Sequence, residues 1–361
     1  MPNSDEKSDG RGILSAAYVS TNHDITRDDW LHEVFPEWGT FLNKEIDEAT
    51  VKSGTVALWW FGGPSFAIKT SSGEIFLIDN YAGPSAYSSY AYCGVCRTSG
   101  APSINWLRLG PQVIDPWAFT RLDAAFSTHH HNDHCDLYTI KAALKTTRCA
   151  FVGPAVTVDK FREFEVPEDR IRLVRPGDSV VFGNTEVMAL INYDVIASMT
   201  GSGGPGQPRP YEDVAVSYLF KTDGGNILFM ADTSYHNGYV TIGANHHVDV
   251  ACINMGHAAP GATDKMSPYE TMRVAQAVRT EVLVPMHYDN WANSQEDPSV
   301  LEWLVQREAP GLKTVILQPG ARFVYPDDKN IGRYKYPDYA ELYRPEYSWE
   351  YGSPSKGVAT S

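Results

Sequence analysis

The chain has 361 residues, enough for one large domain or two, and at 43% hydrophobic residues it can bury a sizeable core. Its net charge of −14 and pI of about 5.2 argue against a nucleic-acid surface, which calls for basic patches, but allow a small anionic substrate held by a few local cations. No apolar run reaches the length of a membrane span, Met1–Gly10 is polar and acidic, unlike a signal or transit peptide, and five cysteines suit a reducing cytoplasm better than a disulfide framework.

Residues 1–24 read as a flexible leader of low hydrophobicity. Thr26 fits an N-cap, with Asp28 and Asp29 in the first turn, and predicts a helix that docks through Trp30, Leu31 and Val34. Phe41–Ala49 reads as a second short helix. Thr55–Phe61, Ser65–Lys69 and Glu74–Asp79, separated by turn residues, predict an antiparallel meander. Asp79, at a strand end, is expected near the active face, either capping a loop or supporting a metal ligand. Residues 80–113 are the least regular part. Their Cys93-Gly94-Val95-Cys96 is half of a zinc pattern without a second pair, so the segment reads as a long loop over the site or at a subunit contact.

Next comes Ser127-Thr128-His129-His130-His131-Asn132-Asp133-His134-Cys135-Asp136, with four of the eleven histidines in ten residues. It follows the buried-strand pattern Asp123–Phe126 and precedes helical spacing from Leu137 to Lys145, so it occupies a strand-to-helix loop, where α/β folds place their chemistry. On an extended loop His129 and His131 point the same way and can share an ion, while Asp133 and His134 turn towards a neighbouring position. Neutral imidazoles and carboxylates are ligands for zinc, manganese or iron.

Further along, Cys149–Gly153 reads as a strand, Val156–Phe164 as a helix, and Ile171–Val174 and Glu186–Ile191 as strands. The composition of residues 200–213 predicts a mobile loop, either a lid or a solvated insert. Val214–Lys221 and Asn226–Met230 form a strand pair, and the second runs into Asp232, a candidate metal bridge. Val248–Ile253 is a buried strand. Ser267-Pro268-Tyr269-Glu270 opens a helix with a capping box. Glu281–Met286 is a strand ending in His287, a candidate ligand. Asp297-Pro298 starts another helix, Thr314–Leu317 is a last strand, and the Tyr- and Pro-rich tail beyond Pro326 is expected to pack on a neighbouring surface.

The run His129-x-His131-x-Asp133-His134, followed in order by Asp232 and His287, resembles the signature of the metallo-β-lactamase superfamily, and Trp59–Gly63 resembles its opening strand. The resemblance implies an α/β fold, an αββα sandwich of two mixed β-sheets flanked by helices, as a single domain over 25–340 with a tail at 341–361. Phe35–Asn43, Val113–Ala118, Thr263–Met266 and His287–Trp291 are similar to segments of the L-ascorbate-6-phosphate lactonases. That branch implies a cytoplasmic, manganese-dependent, homo-oligomeric hydrolase that opens a sugar-phosphate lactone. The superfamily's third histidine, expected near residue 192, is missing from Ile191-Asn192-Tyr193-Asp194; either Asp194 substitutes or only one ion binds tightly. The cysteine-bearing loop at 90–100 departs from the lactonases and leaves the substrate open.

The expected mechanism uses a divalent ion held by some subset of His129, His131, Asp133, His134, Asp232 and His287, manganese first and zinc or iron as alternatives, to make hydroxide from water. Asp133 orients the water or moves its proton, and Asp133, His236 or a second water protonates the leaving alkoxide. Lys265, Arg273 and His257 are candidates for holding the anionic substrate, with Tyr288 as a further substrate contact. The competing readings are a phosphodiesterase or another lactonase of the same fold, a mononuclear-iron oxidoreductase, and a silent regulator that binds a sugar phosphate.

Overall fold

Strand alternation explains the layering. In β1 (Val56–Trp60), Val56, Leu58 and Trp60 enter one apolar cluster and Ala57 and Trp59 another. β2 (Phe66–Thr70) and β3 (Ile75–Ile78) repeat the division, Phe66, Ile68, Phe76 and Ile78 against Ala67, Ile75 and Leu77. Both faces of this sheet are therefore buried, one against a second sheet and one against helices. The computed structural model describes residues 25–34, 39, 41–83, 108–201, 207–257, 264–292, 294–335, 347–348 and 353–354.

The helices on that outer face are α1 (Arg27–Val34), α2 (Asn43–Glu48), α3 (Leu137–Thr146) and α4 (Ala155–Glu163), which contribute Trp30, Ile46, Tyr138 and Phe161 to the outer cluster. The cap expected at Thr26 forms: Asp29 N donates to Thr26 Oγ1 and Thr26 N to Asp29 Oδ2. The first sheet continues through β4 (Ala124–Phe126), β5 (Ala150–Gly153) and β6 (Ile171–Leu173). Its order is β14-β1-β2-β3-β4-β5-β6, with β14 spanning Arg322–Tyr325; the β14–β1–β2–β3 pairs are antiparallel and the β3–β4–β5–β6 pairs parallel.

The second sheet is built from β7 (Ser179–Phe182), β8 (Thr185–Ile191), β9 (Val216–Thr222), β10 (Gly225–Phe229), β11 (Val250–Asn254), β12 (Val282–Met286) and β13 (Lys313–Thr314). It too begins antiparallel and turns parallel, from β10 onwards. Between β8 and β11 the described residues include the short α-helices α5 (Val195–Thr200), α6 (Tyr211–Val214) and α7 (Val240–Asn245). α8 (Pro268–Ala277), opened by the expected Ser267–Glu270 capping box, packs on β11 and β12, and α9 (Pro298–Glu308) on α8. The two sheets flanked by helices are the expected αββα sandwich.

Within the two large sheets, β7 and β14 escaped the sequence. β7 is a half-exposed edge with little apolar contrast, and β14 is a short return to the first sheet whose pairing with β1 is set by distant residues. The segment 200–213 is also corrected at its ends. Thr200 closes α5, and Val214, expected to open a strand, closes α6. Cys93 and Cys96, residues 1–24 and most of the tail lie outside the described residues. Among the described residues no helix is long and apolar enough to cross a membrane.

The sheets lock together through aromatic rings. Phe126 of β4 meets Tyr218 and Phe220 of β9 edge-on at 5.0 Å and touches Phe76 and Phe182 at about 6 Å. Phe126→Ala removes a side chain that is 2% exposed and should cost about 3–5 kcal/mol. Urea unfolding is the check; a loss under about 1 kcal/mol would mean that this contact does not hold the sheets together.

Candidate metal centre

Five strands deliver the site from their C-terminal ends. β3 ends at Asp79, β4 runs into the histidine loop, β8 leads to Asp194, β10 to Asp232 and β12 to His287. Three of these exits use left-handed backbone: Asp79 (φ 44°), Ala231 (φ 49°) and His287 (φ 65°). Such φ values are costly for residues with a Cβ and persist where surrounding contacts impose them. At His287 the contacts are visible. Its N–H donates to Gly63 O (3.1 Å), and Gly63 N donates to Asp289 Oδ1 (2.9 Å). Gly63 is itself left-handed, and a Cβ there would sit 2.9 Å from Asn290 Cγ, so only glycine lets the two loops meet.

Asp79 is the anchor of the histidine loop. It is 1% exposed and accepts three hydrogen bonds: Thr128 N (2.8 Å), Thr128 Oγ1 (2.6 Å) and His134 Nδ1 (2.7 Å). The loop then turns tightly, with His134 N and Cys135 N both donating to His131 O, and Asp136 caps α3 by accepting from Thr139 N. From the other side the Lys160 ammonium donates to His130 O (2.6 Å) and Asn132 Oδ1 (2.7 Å).

Two groups of side chains result. In the first, His129 Nε2 lies 2.9 Å from His131 Nδ1 and 3.6 Å from Asp194 Oδ2. In the second, His287 Nε2 lies 3.3 Å from Asp133 Oδ2 and 3.3 Å from His134 Nε2. Asp232 joins them, with Oδ2 3.3 Å from His134 Nε2 and Oδ1 3.4 Å from His287 Nε2. His129, His134 and Asp232 also form a group whose candidate donor atoms lie within 4.8 Å of one another, as do His131, Asp232 and Asp264. Lys265 makes a close ion pair with Asp232 Oδ1, and Trp291 Nε1 donates to Asp133 Oδ2 (3.2 Å).

The protons do not balance these acceptors. Burial holds His131 near a pKa of about 4 and, with the neighbouring cations, keeps His129 well below the usual histidine range, so both rings are neutral. Thr128 donates its only hydroxyl proton to Asp79 and so accepts from His129 Nδ1–H, which leaves a lone pair on His129 Nε2. Asp194 Oδ1 is used, capping α5 through Ala197 N (2.8 Å), but buried Asp194 Oδ2 has no hydrogen-bond partner. Burial, Asp264 and Asp232 together push Asp194 well above the ordinary carboxylate range. Burial alone would raise Asp232 as well, but His287, Lys265 and His134 pull it far down. A divalent cation is the species that satisfies such a convergence of neutral imidazoles and carboxylates.

All six side chains expected to meet at a metal, His129, His131, Asp133, His134, Asp232 and His287, are therefore brought together. Asn192 takes no part: its buried amide donates to Met230 O (2.6 Å) in the core, and Asp194 presents the carboxylate instead. The remaining candidates stand elsewhere. His236 is exposed; its Nδ1 accepts from Gly238 N, and its ring stacks on Tyr193 at 3.6 Å. Arg273 is exposed on α8 and bonds Gln276, and exposed His257 is fixed through its backbone to Ser294. Tyr288 is 6% exposed, packs against Trp60 and donates to Leu317 O, so it serves the interior. The sequence does not single out Trp291, Asp264, Thr128 or Thr200 by role; Asp264 and Trp291 lie within the lactonase-like segments, but nothing in their spacing aims them at the cluster.

Residues 101–288 match the family model of the beta-lactamase superfamily domain. The chain is 35% identical over 331 residues to the probable L-ascorbate-6-phosphate lactonase UlaG of Escherichia fergusonii, covering 87% of this chain and 93% of that protein. The fold is shared with the isothiocyanate hydrolase from Delia radicum gut bacteria (TM-score 0.57, 15% identity, 74% of this chain and 98% of that one). It is shared also with Igni18, a metallo hydrolase from Ignicoccus hospitalis (TM-score 0.55, 17% identity, 75% and 98%). With its cluster of histidines and aspartates on this scaffold, the chain is a metal-dependent hydrolase of the metallo-β-lactamase superfamily, and within it belongs to the family of the L-ascorbate-6-phosphate lactonases.

Proposed function

We propose that the chain hydrolyses a sugar-phosphate lactone, with L-ascorbate 6-phosphate lactone as the leading candidate. The observation that carries this reading is the similarity over 93% of a probable lactonase, which extends far beyond the histidine loop. His129, His131 and Asp194 would hold an ion on one side and Asp133, His134 and His287 on the other, with Asp232 between them. When bound, a divalent ion supplies a Lewis acid for the carbonyl oxygen and a lowered pKa for water. Manganese is the favoured ion, because carboxylate oxygens are hard donors; zinc and iron are its competitors.

The chain's own residues supply positioning and proton transfer. The Trp291 N–H and His287 hold Asp133 Oδ2 at the edge of the second group. Burial disfavours the Asp133 charge, but His134, His287 and Lys265 outweigh it and keep the carboxylate ionised. Asp133 thus orients the attacking water and takes its proton. Addition to the lactone carbonyl gives a tetrahedral oxyanion, and the Lys265 ammonium, already at Asp232, is a cation that can face the developing charge. The ring C–O bond then breaks. The departing alkoxide recovers a proton from Asp133 or from a second water, giving the open hydroxy acid. The family likeness also supports a cytoplasmic homo-oligomer acting on a small anionic substrate.

Asp133→Ala, in folded protein, should lower metal-dependent lactone hydrolysis by about 10²–10⁴-fold. Full activity in that variant would overturn the mechanism. Turnover of a lactone panel beside bis-p-nitrophenyl phosphate, with elemental analysis, tests the substrate class: phosphodiester cleavage without lactone opening, or iron with oxygen uptake, would each contradict the proposal.

Proton linkage gives a second test. Burial disfavours a charged His134, but Asp133, Asp79 and Asp232 outweigh burial and raise its pKa well above the usual value. The ion-free site therefore keeps a proton on His134 at neutral pH, and a ligating imidazole must lose it. Protons should be released as metal binds, and affinity should rise with pH until the raised pKa is passed. Calorimetry in buffers of different ionisation enthalpy reads this directly; uptake of protons, or none exchanged, would contradict it.

A further inference from the structure

We infer that Thr200 is a positioning residue for the metal site: its hydroxyl locks His131 in the Nε2–H tautomer and so aims the bare Nδ1 of His131 at His129 and Asp194. The argument follows the polarity of the hydrogen bonds. Thr200 is the last residue of α5, and its Oγ1 donates to Ile196 O (2.8 Å), one helical turn back. A hydroxyl has one proton and two lone pairs. With the proton committed to Ile196, the 2.9 Å contact between Thr200 Oγ1 and His131 Nε2 requires the imidazole to donate. The second lone pair takes the 3.2 Å contact from His130 Nε2.

A neutral imidazole that donates from Nε2 has a lone pair on Nδ1. That Nδ1 lies 2.9 Å from His129 Nε2, which is also left with a lone pair by the Thr128–Asp79 chain. The two ring nitrogens not engaged by a threonine, His131 Nδ1 and His129 Nε2, therefore face each other at hydrogen-bond distance. Asp194 Oδ2, the third atom of the group, is buried and has no hydrogen-bond partner. These three atoms are the donors that a cation held in this group would meet.

The placement gives α5 a purpose that its length conceals. The helix has six residues, and both of its ends serve the same group. Asp194, its N-cap, replaces the expected histidine with a carboxylate. Thr200, at its last turn, sets the tautomer of the neighbouring histidine. The helix is tied at this end to the segment that follows: Ser198 Oγ donates to Arg209 O (2.6 Å), and Arg209 N to Ser198 O (2.9 Å). Metal-ligating histidines commonly use their other ring nitrogen in this way, and removing that partner typically costs 10–100-fold in affinity.

The inference rests on the metal reading of the cluster, and its test separates the two. Manganese affinity is measured by titration of metal-free wild type, Thr200→Val and Thr200→Ser. Valine keeps the branched shape without the hydroxyl, and serine keeps the hydroxyl without the methyl. The expected result is a loss of about 10–100-fold for valine and near wild-type binding for serine, with thermal midpoints reported for each. Valine binding as tightly as wild type, or serine as weakly as valine, overturns the role of Thr200. Wild type that binds no manganese, zinc or iron overturns the metal reading itself. If the valine variant fails to fold, the nitrogen-15 shifts of His131 in wild type decide the matter: a protonated Nε2 and bare Nδ1 are expected, and the opposite tautomer refutes the lock.

Discussion

Lone pairs outnumber protons where the strand ends meet, and most of the architecture is arranged to keep it so. His129 and His131 are neutral because they are buried, and each is made to spend its one ring proton on a threonine hydroxyl facing away from the cluster. Asp133, Asp194, Asp232 and Asp264 add carboxylates, and Lys265 offsets part of their charge. Burying that many acceptors costs several kcal/mol per uncompensated group, so the folded chain is poised for a divalent cation. Metal affinity, the protonation of His134 and the ionised state of Asp133 all follow from this one imbalance.

The scaffold carries the associated strain. Each sheet changes from antiparallel to parallel pairing partway across, and the parallel strands release their chains at one end. Asp79, Ala231 and His287 adopt left-handed backbone at those exits, turning the chain out of the strand within one residue. The interlocked rings of Phe76, Phe126, Tyr218 and Phe220 beneath them keep the two sheets from sliding, which would separate Asp232 and His287 from the histidine loop. Packing far from the chemistry thus fixes distances of a few ångströms within it.

Much of this was legible in the chain itself, for identifiable reasons. Strand periodicity located β1–β3, β4, β11 and β12, because those strands are buried and continuous in apolar character. The histidine loop announced itself by composition, and Asp232 and His287 by standing at the ends of apolar strands. What failed to show was orientation. Tyr288 sits beside His287 yet turns inward to Trp60, because neighbouring residues leaving a strand point to opposite sides. Lys265 reads as one more surface cation until Asp232 is seen against it. Thr200 lay in a stretch whose glycines and prolines masked a helix end, and its role depends on hydrogen-bond polarity that spacing does not encode. Asp194 could be named only as a possible replacement, because position 192 turned out to serve the core through Met230.

The claim that a shared cation organises the site is tested most directly by anomalous diffraction from crystals grown with manganese, recorded on both sides of its absorption edge. The account predicts a peak at coordination distance, about 2 Å, from Asp232 and from histidines of the loop, or two peaks that share Asp232. A well-ordered site with no peak, or a peak remote from His129, His134 and Asp232, would contradict it.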